Sequence, residues 1–276
     1  MDDIREAIAT WKKVIDEKLN EVIEREYEER VINVAKYIVR GGKRLRGALA
    51  IMVSTALGGR PEDAMNAAIA LELVHAASLS IDDIIDEDVE RRGMPSSWVI
   101  NGIKDTVMVS NLLIPHAISM VKVYGRKAID KVIETWWQIS KGEIWDVHGP
   151  PIEDVERAYE AILEAKTASL FALAAYLGAL AAGRDDKAEI AWRYGFLLGK
   201  AYQIADDLAD MDKDKSYSAQ LFKQIVRKRG IDYIKRWLME LVKESSQIGK
   251  SLSPLLSKLP EQGILLLLGE SAWHST

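Results

Sequence analysis

Residues 61–93 read PEDAMNAAIALELVHAASLSIDDIIDEDVERRG, and the fold is decided by how that run changes character. For about twenty residues small and apolar side chains cover most of a helical circumference. Then five carboxylates, Asp82, Asp83, Asp86, Glu87 and Asp88, fall within seven positions, and Arg91, Arg92 and Gly93 follow. A helix that is apolar nearly all round is one surrounded by other helices. The stretch therefore predicts a central helix over about Pro61 to Glu90, inside an all-α bundle, with a cluster of like charges at its carboxyl end.

The rest of the chain agrees with that reading. The 3.6-residue period recurs almost everywhere, as in Ile4, Ile8, Trp11, Ile15, Leu19 and Ile23, and alternating strand patterns are almost absent. Gly41-Gly42, Gly58-Gly59, Gly93 with Pro95, Gly149-Pro150-Pro151, Gly183 and Gly230 mark helix ends. A second nearly all-apolar helix is expected over Ile152 to Ala182. No Ser-, Gly- or Pro-rich linker divides the 276 residues, and 48% of them are hydrophobic, which predicts one domain over residues 1–276. A net charge of −5 argues against a nucleic-acid partner, and the lack of cysteine excludes disulfides and thiol chemistry. The longest uninterrupted aliphatic run, GILLLLG, is short of the roughly 20 residues of a membrane span. The amino terminus is acidic and amphipathic rather than leader-like. The expectation is a cytoplasmic protein without a transmembrane segment.

The carboxylate pattern occurs twice, as Asp82, Asp83, Asp86 and as Asp206, Asp207, Asp210. Positions i, i+1 and i+4 share one helical stripe, so each D-D-x-x-D crowds three like charges. Hard divalent cations with oxygen ligands relieve that repulsion, and Mg²⁺ commonly completes its shell with substrate phosphates. Two such faces could hold one polyphosphate between them. The basic groups suit the same ligand class. GGKRLRG sets Lys43, Arg44 and Arg46 at a glycine-led helix start, where free backbone N–H groups favour anions. Arg91 and Arg92 follow the first acidic cluster, and Lys166-Thr167 interrupts an apolar helix, a costly place for an unpartnered charge.

The ordered series GGKRLRG, ELVHAASLSIDDIIDED, RRGMP, KTASLF and GKAYQIADDLAD, from about Gly41 to Asp210, resembles the trans-type isoprenyl diphosphate synthases, the family of farnesyl and geranylgeranyl diphosphate synthases. The resemblance implies a homodimeric isoprenoid-synthase bundle with a central cavity, and Mg²⁺ ions, three per site, held between two aspartate motifs. Its substrates would be isopentenyl diphosphate and an allylic diphosphate. By that resemblance Asp82, Asp83, Asp86, Asp206, Asp207 and Asp210 are metal ligands. Arg91 and Lys166 meet the allylic diphosphate, and Lys43, Arg46, His75 and Arg92 meet isopentenyl diphosphate. Thr167 and Gln203 line the place where a carbocation develops. Metal and cationic side chains would stabilise the departing diphosphate electrostatically.

Product length follows from the same resemblance. The positions four and five before the first motif are Ser78 and Ala77, both small, where bulky aromatics would stop growth at C15. A C20 product is expected, with farnesyl and geranylfarnesyl products as alternatives and Val74, Leu73, His116 or Met120 as candidate floors. The tryptophans, including Trp136 and Trp137, read as core or interface residues. Gly47 stands where the family has proline, expected to loosen the helix start. Ser110-Asn111 stands where Gly-Asp is common, and Lys213 or Lys215 would be the lysine after the second motif. Rival readings are a terpene cyclase, a non-catalytic partner subunit, and a di-iron bundle built on Glu72-x-x-His75, for which a second Glu-x-x-His is lacking.

Overall fold

The computed structural model describes residues 2–211 and 216–268. Twelve α-helices are found among them: α1 Asp2–Glu26, α2 Glu29–Val39, α3 Leu45–Ala56, α4 Met65–Ile85, α5 Ser97–Met120, α6 Arg126–His148, α7 Val155–Leu163, α8 Ser169–Ala181, α9 Ala188–Ala209, α10 Tyr217–Arg229, α11 Ile231–Leu252 and α12 Pro254–Leu268. The glycines read as breakers all fall between helices. Gly102 is different: it lies inside α5 with φ 81°, a kink that periodicity did not reveal.

The helices that lack a polar face are central. Every residue from Ser169 to Leu180 of α8 is buried, and α8 packs on α9, α3, α6 and α4. On α1 the period-3.6 positions Ile4, Ile15, Leu19 and Ile23 are at most 1% exposed and face this core. A second apolar cluster around Tyr159, Phe222, Ile234 and Leu238 joins α7, α10 and α11, and α9 contributes to both clusters.

Two expected helices differ in detail. The one expected over Pro61–Glu90 begins with a 3₁₀ turn, Pro61–Ala64, and ends at Ile85. A two-stranded hairpin follows, pairing Glu90 with Pro95 and Arg91 with Met94. Its turn residues Arg92 and Gly93 have φ of 56° and 74°, the paired positive values of a type I′ turn. Strands of two residues are too short to show a period. The helix expected over Ile152–Ala182 is α7 and α8 joined by a π-helical turn, Glu164–Ala168. Such single π turns inside α-helices are frequent at functional sites.

The absence of a spanning segment does not hold at the level of composition. Pro61–Ile85, Ser97–Tyr124 and Val155–Ala181 are each long and apolar enough to cross a membrane. The apolar windows of the first and third are 67% and 78% buried inside the bundle, so the core accounts for most of their apolarity. That of Ser97–Tyr124 is only 39% buried.

Candidate active site

The acidic side is built by α4, α6 and the π turn. Lys166 Nζ lies 2.7 Å from Glu143 Oε2, 2.9 Å from Asp146 Oδ2 and 3.6 Å from Asp82 Oδ2. Burial opposes the ammonium's charge, but Asp82, Asp146 and Glu143 together outweigh it and raise its pKa. Burial also pushes Glu143 up to about 8, with Lys166 opposing and Asp82 adding repulsion. Asp86, at the end of α4, is raised by burial and by repulsion from Asp82, Asp88 and Asp146, against the pull of Lys166. Among the described residues no three carboxylates or imidazoles already converge as a metal cage. The donors are nevertheless all oxygen and crowded enough for protonation to become easier, which is the chemistry a hard divalent cation relieves.

Glu143 and Asp146 were not singled out from sequence. Their signal is a Glu-x-x-Asp directly after Gly142, one helical turn apart. Gly142 itself is required by approach: a Cβ there would sit 2.9 Å from Ala165 Cβ and 3.0 Å from Lys166 N. On the other side of the π turn, a Cβ on Gly199 would lie 2.8 Å from Ala168 Cα. The turn is thus gripped between α6 and α9. Lys200, 7% exposed and held by Glu160 and Glu164, ties its start to α9.

The three aspartates of the first motif divide. Asp82 meets Lys166, while Asp83, 2% exposed, accepts from Arg91 Nε. Arg91 Nη2 also lies 3.7 Å from Asp88. The hairpin sends the next arginine the other way, where Arg92 Nη1 donates to the carbonyl of Arg40 at 3.3 Å. Two consecutive arginines therefore serve opposite sides of one cleft.

On the basic side Arg46 Nη1 donates to His75 Nε2 at 3.0 Å, its guanidinium stands 4.7 Å over the Phe171 ring, and its buried Nε has no partner. Burial lowers the pKa of Arg46, His75 and Arg92 alike. Arg46, Arg92, Arg91 and Arg44 lower His75 further. Cations outnumber anions here, as in a site for a polyanion. Lys43 is exposed beside them. Arg44 is not part of this surface. It is 4% exposed with φ 57° and donates to Asp16 at 2.7 Å and to the carbonyl of Val39.

Gly47 overturns its expectation. Its N–H donates to buried Glu72 Oε1 at 2.9 Å, a bond that proline has no hydrogen to make. A Cβ there would approach Ile15 Cδ1 to 2.9 Å and Ala68 O to 3.1 Å. The start of α3 is pinned rather than loosened, and Glu72 is committed to it and to Arg44, 3.6 Å away. Ser110 also acquires a role, since its hydroxyl lies 2.7 Å from that of Ser80, two residues before Asp82.

Between the two sides, Thr167 Oγ1 donates to Gln203 Oε1 at 2.8 Å, and Gln203 Nε2 donates to Asp207 Oδ1 at 2.7 Å. The Tyr159 hydroxyl donates to Asp207 Oδ2. Asp206 adds its charge near Arg46 and Tyr202, and Asp210 caps the end of α9. Lys213 and Lys215 lie outside the described residues.

Beneath the carboxylates a narrow apolar cavity of about 20 Å³ lies between α4, α5, α6 and α8. Val74, Leu71 and Ala70 form its α4 wall, with Val121, Trp136 and Leu177 among the residues facing them. Trp136 is therefore a cavity residue, not only core. Ala77, Ser78, Leu73, His116 and Met120 are not in the lining, and His116 bonds to Tyr27 instead.

A model of the polyprenyl synthetase family matches residues 28–224. The hexaprenyl pyrophosphate synthase of Saccharolobus solfataricus is 32% identical over 263 residues, covering 93% of this chain and 88% of that one. The geranylgeranyl pyrophosphate synthase of Geoglobus acetivorans is 31% identical over 217 residues, 75% of this chain and 68% of that one. The solved geranylgeranyl pyrophosphate synthetase of the same archaeon shares the fold, with a TM-score of 0.80 at 24% identity over 94% of this chain and 98% of that one.

Proposed function

The chain belongs to the polyprenyl synthetase family, prenyltransferases of isoprenyl diphosphates, and from that premise we propose that it joins isopentenyl diphosphate head-to-tail to an allylic diphosphate and makes chiefly the C20 product. The observation that carries the reading is the two-sided cleft: crowded carboxylates around Lys166 facing the surplus of cations around Arg46 and His75, above an apolar cavity.

In this reading Asp82, Asp86 and Asp206 hold Mg²⁺, three ions per site by family analogy. When bound, the metal supplies Lewis-acid charge to the leaving diphosphate. Lys166 and Arg91 add fixed positive charge beside the allylic diphosphate, so its C–O bond breaks with the electron pair leaving on oxygen. Thr167 offers oxygen to the developing allylic cation. Lys43, Arg46, His75 and Arg92 hold the second diphosphate with its double bond toward that cation. The double bond adds, forming the new C–C bond, and the proton lost afterwards goes to the released diphosphate. Val74, Leu173 and Ile139 exclude the water that would otherwise quench the cation.

Cavity depth supports the C20 assignment. Ala70 lies twelve residues before Asp82, about 18 Å along the axis of α4. An extended isoprene unit is about 5 Å long, close to one helical turn, so three to four units match the length of α4 between Asp82 and Ala70, and the narrow cavity must widen to take them. The exposed apolar stripe of α5, Ile100, Ile103, Val107, Met108 and Leu112, together with Trp137 and Ile144 of α6, supports the proposal that a second copy covers this face.

The test is product analysis by mass spectrometry with purified protein, Mg²⁺, excess isopentenyl diphosphate and dimethylallyl, geranyl or farnesyl primer. C20 should dominate and Ala70→Phe should shorten it. No condensation would end the reading, and an unchanged product in Ala70→Phe would end the length argument alone. Light scattering should give twice the chain mass.

A further inference from the structure

We propose that Tyr159 and Asp207 are positioning residues that set which way the Thr167 hydroxyl points, and that Asp207 does this instead of binding metal; the proposal rests on the prenyl-transfer reading above. Four side chains from three elements form one connected series. Tyr159 on α7 is fully buried, its ring 5.4 Å from Phe222 and 6.1 Å from Trp237, so its hydroxyl has one place to go, Asp207 Oδ2. The other carboxylate oxygen accepts from Gln203 Nε2 at 2.7 Å, and Gln203 Oε1 accepts from Thr167 Oγ1 at 2.8 Å.

Donor and acceptor roles in this series leave no freedom. An ionised carboxylate only accepts, so the amide of Gln203 must turn its NH₂ to Asp207 and its oxygen to Thr167. The single hydroxyl proton of Thr167 is then spent on Gln203. Only the lone pairs of Oγ1 remain for the cleft, next to Lys166 on the π turn. An oxygen presenting lone pairs stabilises positive charge developing on carbon; a hydroxyl presenting its proton opposes it. If the amide flipped, its NH₂ would donate to Thr167 and free that proton toward the substrate. Asp207 prevents the flip, and Tyr159, 48 residues away in sequence, keeps Asp207 facing Gln203. A phenol keeps its proton at neutral pH, so Tyr159 remains a donor.

The experiment compares full-length wild type, Tyr159→Phe, Asp207→Asn and the double variant. Phenylalanine keeps the ring packing against Phe222 and Trp237, so Tyr159→Phe tests the hydroxyl alone. We expect kcat to fall about 10-fold or more in each single variant, with both KM values and the Mg²⁺ concentration for half-maximal rate within about two-fold of wild type. The double variant should be no worse than the poorer single one, since the residues act as one series. A Tyr159→Phe enzyme with normal kcat, a raised Mg²⁺ requirement in Asp207→Asn, or multiplicative losses in the double variant would each overturn the proposal. A readout independent of turnover is the Gln203 side-chain amide resonance. It should be shifted downfield and slow to exchange in wild type and lose both features in Tyr159→Phe; a resonance identical in the two proteins would overturn the assignment even if the wild type proved inactive.

Discussion

The acidic and basic halves of the cleft solve the same electrostatic problem in opposite ways. On the acidic side most charges are paired within the protein: Lys166 sits among Glu143, Asp146 and Asp82, and Asp83 is matched to Arg91. On the basic side Arg46 is bonded to His75 and stacked on the face of Phe171, Glu72 and Asp206 act on it without an ion-pair contact, and neighbouring arginines repel one another. The first arrangement holds the geometry of a charge-separating reaction. In the proposed reading the second is a receptor, whose cations, not matched by contacting carboxylates among the described residues, meet an anion from outside. The difference teaches that net local charge is a poor guide to role, and that the count of internal partners is a better one.

The largest effect that could break this contrast comes from the acidic side. Asp82→Ala should lower kcat by at least ~10²-fold, the scale of one preorganised electrostatic element, and chelator should abolish turnover of the wild type. Steady-state rates near normal in either experiment would mean that the carboxylates are a solvated face.

Arg46→Ala comes next. Losing a charged hydrogen-bonding partner costs about 1.5–3 kcal/mol, so KM for isopentenyl diphosphate should rise roughly 10- to 100-fold, with a much smaller change for the allylic substrate. A two-substrate kinetic matrix showing equal effects would remove the division between halves.

Gly47→Pro sharpens the comparison without touching either ligand set. It takes the buried N–H from Glu72, a loss of about 1–3 kcal/mol, and adds atoms against Ile15 and Ala68. Thermal unfolding should drop by several degrees, with KM for isopentenyl diphosphate rising more than kcat falls. Unchanged stability would mean that the Gly47–Glu72 bond contributes nothing net.

The smallest effect is a pH slope. Burial first, then Arg46 and its neighbours, hold His75 well below its usual 6.5. Below about pH 6.5 the unfolded chain takes up a proton that the folded one refuses, so stability is lost as pH falls, by at most about 1.4 kcal/mol per pH unit. His75→Gln should flatten the melting-temperature profile between pH 6.5 and 5.5. Identical profiles would place His75 in a wetter, less cationic setting.

Much of this molecule was legible because it is local. Helical period, glycine breakers and the grouping of Asp82, Asp83 and Asp86 all follow from spacing within a few residues, where i, i+3 and i+4 are neighbours in any α-helix. The ordered motifs carried the family for the same reason: each is short and self-contained. Spacing could not say that Asp82 meets Lys166 while Asp83 turns to Arg91, because the two cations come from the π turn and the hairpin, which helical periodicity does not place. Nor could it show Arg44 pointing inward beside Arg46, since a left-handed residue at a helix start is imposed by Asp16 and Val39 from elsewhere in the chain. Glu143, Asp146 and Tyr159 had no motif to announce them; they matter through contacts 20 to 72 residues distant in sequence. The cavity depth belongs to the same class. By itself the sequence determined the helices and the chemistry they carry, because backbone hydrogen bonding and side-chain periodicity are short-range. Only the tertiary structure decided which charges are paired and which remain for substrate, because partners are chosen by packing between helices, and in a close-packed interior that choice depends on every neighbour at once.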